Sequence, residues 1–159
     1  MHNLFLICPD CYIEQSIRAK YGNNSFFLTA LGSVFGIETF EYVEEVSQFI
    51  SNEEVSSIFL VNDYKCSFIQ NALFHKNDFN TKSEQVLKLL LKSNREDITS
   101  MKSVDDKAIR LAKLNIYRQA FEIMEVAFIG NRVQDGLIKV IGLVYDRDKD
   151  KFDEFRIKK

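Results

Sequence analysis

The chain has 159 residues, which suits one domain with a real buried core. Its 21 basic and 23 acidic side chains nearly cancel to a formal charge of -2, so the basic face of an electrostatic nucleic-acid binder is excluded. Three cysteines are too few for a disulfide framework, and no apolar run is long enough to span a bilayer.

Leu4-Phe5-Leu6-Ile7 stops at Cys8-Pro9, which predicts a buried strand over 3–8. Ile13 to Lys20 reads as a short helix with Ile13 and Ile17 inward, Glu14 and Arg18 at i,i+4 spacing, and Gly22 at its end. Phe26 to Leu31 is a second strand, stopped by Gly32. Phe40, Val43, Val46 and Phe49/Ile50 fall at helical spacing and predict an amphipathic helix over 38–51. A third strand covers 57–62, and a helix begins near Cys66 with Phe68, Ile69, Ala72 and Leu73 inward.

Val86, Leu87, Leu90 and Leu91 mark a further helix. Ser103 and Asp106 form a capping box for a long one, 104–128, whose stripe is Leu111, Leu114, Tyr117, Phe121, Met124 and Phe128. After a turn at Gly136, Leu137 to Tyr145 is the last clear strand, with Phe152 and Phe155 in a short edge strand. Strands alternating with helices predict an α/β fold: a mostly parallel sheet of about four core strands, flanked by helices. One Pro and six Gly leave no linker, so 1–159 is expected to form a single domain. The first residues show neither the basic region nor the cleavage site of a signal peptide, and a reducing cytoplasm is the expected setting.

Strand ends in open α/β sheets are where sites are built. Cys8 and Cys11 follow the first strand and Cys66 the third, with Asp10 and Asp63 beside them. Thiolates and carboxylates are ordinary zinc ligands, and Asp63 and Cys66 are spaced to reach one ion from a strand-to-helix turn. The plainer alternative is that the cysteines are small buried hydrophobes. Cys8-Pro9-Asp10-Cys11 is also a C-x-x-C, but a thioredoxin-like redox site needs a second proline facing the thiols, and Pro9 is the only one. His2 and His75 are the only histidines, and His75 reads as a surface residue, which disfavours a Ser-His-Asp or Cys-His hydrolase. Gly32 and Gly36 do not make a phosphate loop.

In order, these pieces resemble the β-class carbonic anhydrases. Cys8-Pro9-Asp10-Cys11-Tyr12 stands where that family has C-x-D-x-R, and Asp63-Tyr64-Lys65-Cys66 where it has H-x-x-C. Ser25 to Gly32 is similar to the strand leading into the family's asparagine-alanine-glycine turn, and Asn115-Ile116-Tyr117-Arg118-Gln119 to its N-V-x-x-Q. Gly142-Leu143-Val144-Tyr145-Asp146 is similar to G-W-V-Y-D. The resemblance implies zinc as cofactor, carbon dioxide and bicarbonate as small-molecule partners, and a homodimer. The many phenylalanines, among them Phe26, Phe27, Phe35 and Phe40, suit an interface. Neither a nucleic acid nor a membrane is an expected partner.

Two departures fall on the site. The family holds zinc with two cysteines and a histidine; Cys8 and Cys66 match the cysteines, and Asp63 stands in the histidine's place. The family's aspartate, here Asp10, pairs with an arginine two residues on, which here is Tyr12. The resemblance thus implies metal ligands Cys8, Asp63 and Cys66, with Asp10 in the catalytic position. Asp10 or Cys11 could close the coordination sphere as a fourth ligand. An aspartate in place of a neutral imidazole makes the site more negative, so a metal there acidifies water less. Lys65 could offset part of that charge. The expectation is a divergent zinc-binding relative in which carbon dioxide hydration is weak or lost. The alternatives are a noncatalytic metal-binding or interaction protein, or a hydrolase of a related small electrophile such as a carbon-sulfur oxide.

Overall fold

The computed structural model describes residues 1–36, 43–74 and 80–157. Five strands form one sheet in the order β2-β1-β3-β4-β5. They are β1 (His2–Ile7), β2 (Ser25–Thr29), β3 (Val55–Asp63), β4 (Lys139–Asp146) and β5 (Lys151–Arg156). The first four run parallel; β5 returns antiparallel on β4, as the charged turn between them allows. Seven helices accompany the sheet among the described residues. They are α1 (Glu14–Tyr21), α2 (Val43–Asn52), α3 (Ser67–Phe74), α4 (Lys82–Ser93), α5 (Arg95–Ser100), α6 (Val104–Glu125) and α7 (Ala127–Gln134).

The continuous apolar runs of β1 and β3 are explained by burial on both faces. Phe5 stacks on Phe59 with ring centroids 4.5 Å apart, and Tyr21 of α1 packs against both rings. Leu4 and Leu6 point the other way, with Leu28, into a space lined by Val46 of α2, Ile123 of α6 and Ile129 of α7. Helices therefore cover both sides, as the alternation of strands and helices predicted.

The main differences from the sequence reading lie in the helices, and β2 ends at Thr29 where the expected strand runs to Leu31. The expected helix over 38–51 is seen from Val43; its predicted start, with Phe40, lies outside the described residues, as does His75. The capping box at Ser103 and Asp106 is present, but the expected helix over 104–128 breaks at Val126. There the backbone turns extended (φ -66°, ψ 112°) and α7 folds back so closely that a Cβ on Gly130 would sit 2.3 Å from the Met124 carbonyl oxygen. The inward face of α6 keeps Leu111 and Met124 of the expected stripe but not Phe121. Phe121 is exposed, while Ala108, Ala112, Asn115, Gln119 and Ala120 are buried. Small side chains let the helix approach the sheet, and the two amides bond the backbone at Ser33 and Phe35. Phe35 is buried in the core, and Phe26 and Phe27 pack partly against it.

Candidate metal centre

Each thiol is placed by a separate break in regular structure. Pro9 cannot continue the ladder of β1, and Pro9–Cys11 forms one 3-10 turn, closed by the Cys11 N–H on the Cys8 carbonyl. That turn carries the Cys11 side chain back toward Cys8. Tyr12 ends it in the left-handed region (φ 52°) with its side chain 84% exposed, so it does not occupy the place of the family's arginine beside Asp10. Cys66 closes the turn after β3, its N–H bonded to the Asp63 carbonyl, and precedes α3.

The three Sγ atoms lie within 4.8 Å of one another, and all three cysteines are buried. Cys66 donates to Cys8 across 3.8 Å, and the Gly32 N–H donates to the same Cys8 sulfur at 3.1 Å. Hydrogen bonds from Cys11 and then Cys66, with backbone donors, hold the Cys8 thiol well below its ordinary range, at about 3. Cys11 is pushed up by sharing protons with Cys66 and Cys8 and by burial. For Cys66, hydrogen bonding with Cys11 lowers the pKa, but Cys8 and burial outweigh it and push it up to about 12. One thiolate flanked by two thiols is the result.

Gly32 donates to Cys8 because α6 grips its turn. Asn115 Nδ2 donates to Asn62 Oδ1 at 2.8 Å and to the carbonyls of Ser33 (3.2 Å) and Gly32 (3.4 Å). Gln119 Oε1 accepts from the Phe35 N–H at 2.8 Å, and Ser33 Oγ donates to the Val61 carbonyl at 2.8 Å. Gly32 is at φ +66°, and a Cβ there would stand 3.2 Å from that of Phe68, so a larger residue would be both strained and crowded. The buried amides of α6 thus act on the metal centre through one glycine.

The carboxylates lie differently. Asp63 is fully buried, but its Oδ2 accepts from Arg147 Nε at 2.7 Å and its Oδ1 from the Lys65 N–H at 2.8 Å. Burial pushes its carboxyl up, against the pull of the Lys65 N–H and Arg147. The group of ligand atoms within mutual reach contains the three thiols and not Asp63. Asp10 Oδ2 accepts from Ser67 Oγ at 2.5 Å, so a hydroxyl from the start of α3 partners the carboxylate that the family gives to arginine. The Lys65 ammonium is paired with Asp148. Arg147 was not singled out from the sequence; the signal available was a cation directly after Gly142-Leu143-Val144-Tyr145-Asp146, at the end of a strand adjoining β3.

The donor set fits zinc. Bonds of about 2.3 Å to sulfur in a tetrahedron put neighbouring sulfurs about 3.8 Å apart, and Cys8 and Cys66 already stand at 3.8 Å.

A family model described as carbonic anhydrase matches residues 4–152, nearly the whole chain. The chain belongs to the β-carbonic anhydrase family. Its fold is similar to that of a β-carbonic anhydrase from Sordaria macrospora, one of two described as tetrameric (TM-score 0.81, 16% identity, covering 97% of this chain and 80% of that one). It is equally similar to a variant of the β-carbonic anhydrase CafD of Aspergillus fumigatus (TM-score 0.81, 18% identity, covering 99% and 90%). A Coccomyxa β-carbonic anhydrase, solved with acetazolamide, also matches (TM-score 0.73, 14% identity, covering 97% and 71%). Comparison with curated protein sequences gives no match. The segments that resemble the family's scaffold motifs build β4 and the Gly32 turn. No helix among the described residues is long and apolar enough to cross a membrane.

Proposed function

We propose that this carbonic anhydrase family member binds one zinc ion through Cys8, Cys11 and Cys66, and that its hydration of carbon dioxide is weak or lost. The observation that carries the reading is the three-thiol group, its sulfurs within 4.8 Å of one another and those of Cys8 and Cys66 at zinc-site spacing. Zinc in such a site supplies a Lewis acid that lowers the pKa of water. Three thiolates leave the site at a formal charge of minus one, against zero for the family's two thiolates and imidazole, and that added negative charge weakens the acidifying effect.

The chain's own groups set the rest. The Gly32 N–H and the neighbouring thiols hold Cys8 as a thiolate before any metal arrives. Ser67 holds the Asp10 carboxylate, the group expected in the catalytic position, as a hydrogen-bond acceptor. Asp63, expected from the sequence as a ligand, stands in this reading as a neighbour of the centre, engaged by Arg147. The test is metal analysis of protein purified without chelators, followed by stopped-flow hydration. About one zinc per chain with turnover far below that of a two-cysteine, one-histidine relative supports the proposal. A metal-free protein that takes up no zinc, or a zinc protein as fast as such a relative, overturns it.

We also propose that the chain self-associates as a homodimer. The Sordaria macrospora enzymes are described as tetrameric. Strand β2 here is a sheet edge whose Phe26, Phe27 and Leu28 are only half-buried. Light scattering that shows only monomer at micromolar concentration would defeat this.

A further inference from the structure

We infer that Arg147 is a positioning residue that holds Asp63 out of the metal's coordination sphere, and so keeps the fourth position of the three-thiol centre open. The inference rests on the zinc site proposed above. Asp63 lies in the same strand-to-helix turn as Cys66, three residues before it, and the Cys66 N–H is bonded to its carbonyl. Its side chain is fully buried, so no bulk water competes for it. A buried carboxylate beside a divalent cation will ligate unless another cation holds it.

Arg147 is that cation. It reaches across from the end of β4, in register beside β3, and takes Asp63 Oδ2 at 2.7 Å through Nε. The Lys65 N–H takes the other oxygen at 2.8 Å, so both carboxylate oxygens are engaged. Burial works against the Arg147 cation, but the Asp63 carboxylate that it bonds favours it. Lys65, the other cation of this turn, is committed to Asp148. Asp10, the second carboxylate that could fill the position, is held by Ser67. Arg147 therefore controls the one carboxylate that the Ser67 hydroxyl does not.

The probe is cobalt(II) in the full chain, with azide as an exogenous ligand and the visible spectrum as readout. In the parent, azide should shift the ligand-field bands. In Arg147→Ala, Asp63 should enter the coordination sphere and weaken azide binding by about tenfold or more, since a tethered carboxylate competes at millimolar effective concentration or above. Adding Asp63→Asn to Arg147→Ala should restore azide binding. Asp63→Asn alone should leave the parent's cobalt spectrum unchanged, and it tests the inference even where Arg147→Ala fails to fold. A parent that takes up no cobalt overturns the three-thiol site and this inference together. A loaded parent and a loaded Arg147→Ala with equal azide affinity overturns the role of Arg147 alone. So does a changed spectrum in Asp63→Asn, which would make Asp63 a ligand already.

Discussion

Cys66 donates its S–H to the sulfur of Cys8 across 3.8 Å, and this contact joins the ends of two neighbouring parallel strands. With the Gly32 N–H on the same atom, it concentrates the negative charge of the centre on Cys8. The pKa of Cys8 falls to about 3 while that of Cys66 rises to about 12 and that of Cys11 rises as well.

The proton count on metal binding follows. At pH 7 Cys8 is already a thiolate, whereas Cys11 and Cys66 still carry protons that zinc must displace. Zinc uptake should release about two protons per ion, where three ordinary thiols would release nearly three. Affinity should therefore fall as the pH is lowered, by about two log units per pH unit near neutrality. Calorimetry in two buffers of different ionisation enthalpy measures the count, and a value near three would show that Cys8 is not preset.

Cys11 separates two donor sets. If the third ligand is Cys11, then Cys11→Ser should weaken zinc binding about as severely as Cys8→Ser or Cys66→Ser, because a hydroxyl is a poor substitute for a thiolate. Asp63→Asn should then have a small effect. The opposite ranking, found by competition with a chromophoric chelator, would place Asp63 in the coordination sphere and leave Cys11 as a buried apolar residue.

Asn115 links stability to the site. It is fully buried and donates to Asn62 and to the carbonyls of the Gly32 turn. Asn115→Ala removes these bonds and leaves buried acceptors unpaired, at a cost of about 2–3 kcal/mol. Urea denaturation of the metal-free protein reads that loss. Zinc affinity should also fall, because a loosened turn no longer fixes the Gly32 donor on Cys8. Unchanged zinc affinity in a folded but destabilised variant would confine Asn115 to a scaffold role.

Restoring a family-like donor set should raise activity. Cys11→Ala removes one thiolate and Asp63→His supplies a neutral imidazole, returning the formal charge of a zinc-loaded centre to zero. Carbon dioxide hydration should increase in the double variant and in neither single one. Metal content and folding are measured alongside stopped-flow rates. A zinc-loaded, folded double variant with no gain would show that more than donor charge limits the reaction.

Much of this protein was legible in local sequence. The apolar runs of β1 and β3 need burial on both faces, which in turn needs helices on both sides of a parallel sheet. Capping of α6 by Ser103 and Asp106, the stop at Gly22 and the strand around Gly142-Leu143-Val144-Tyr145-Asp146 are short-range chemistry, readable from residue type and spacing. The same holds for Cys8 and Cys66, since each lies next to the end of a strand that its own residues define. The break of α6 at Val126 was not legible. It depends on α7 folding back against Met124, where only the absence of a side chain on Gly130 permits the approach.

Residue type and spacing place three thiols and two carboxylates at the ends of β1 and β3. Which of them face one another follows from the packing of the strands and turns. Asp63 has the spacing of a ligand, but Arg147, 84 residues away in the chain, takes its carboxylate because β3 and β4 lie side by side. Cys11 has no counterpart in the family motif, but the turn after Pro9 carries its sulfur back to Cys8. Spacing along the chain limits what a side chain can reach. The ligand set depends on competition among partners that distant segments bring within a few ångströms, where burial makes each charge pairing count.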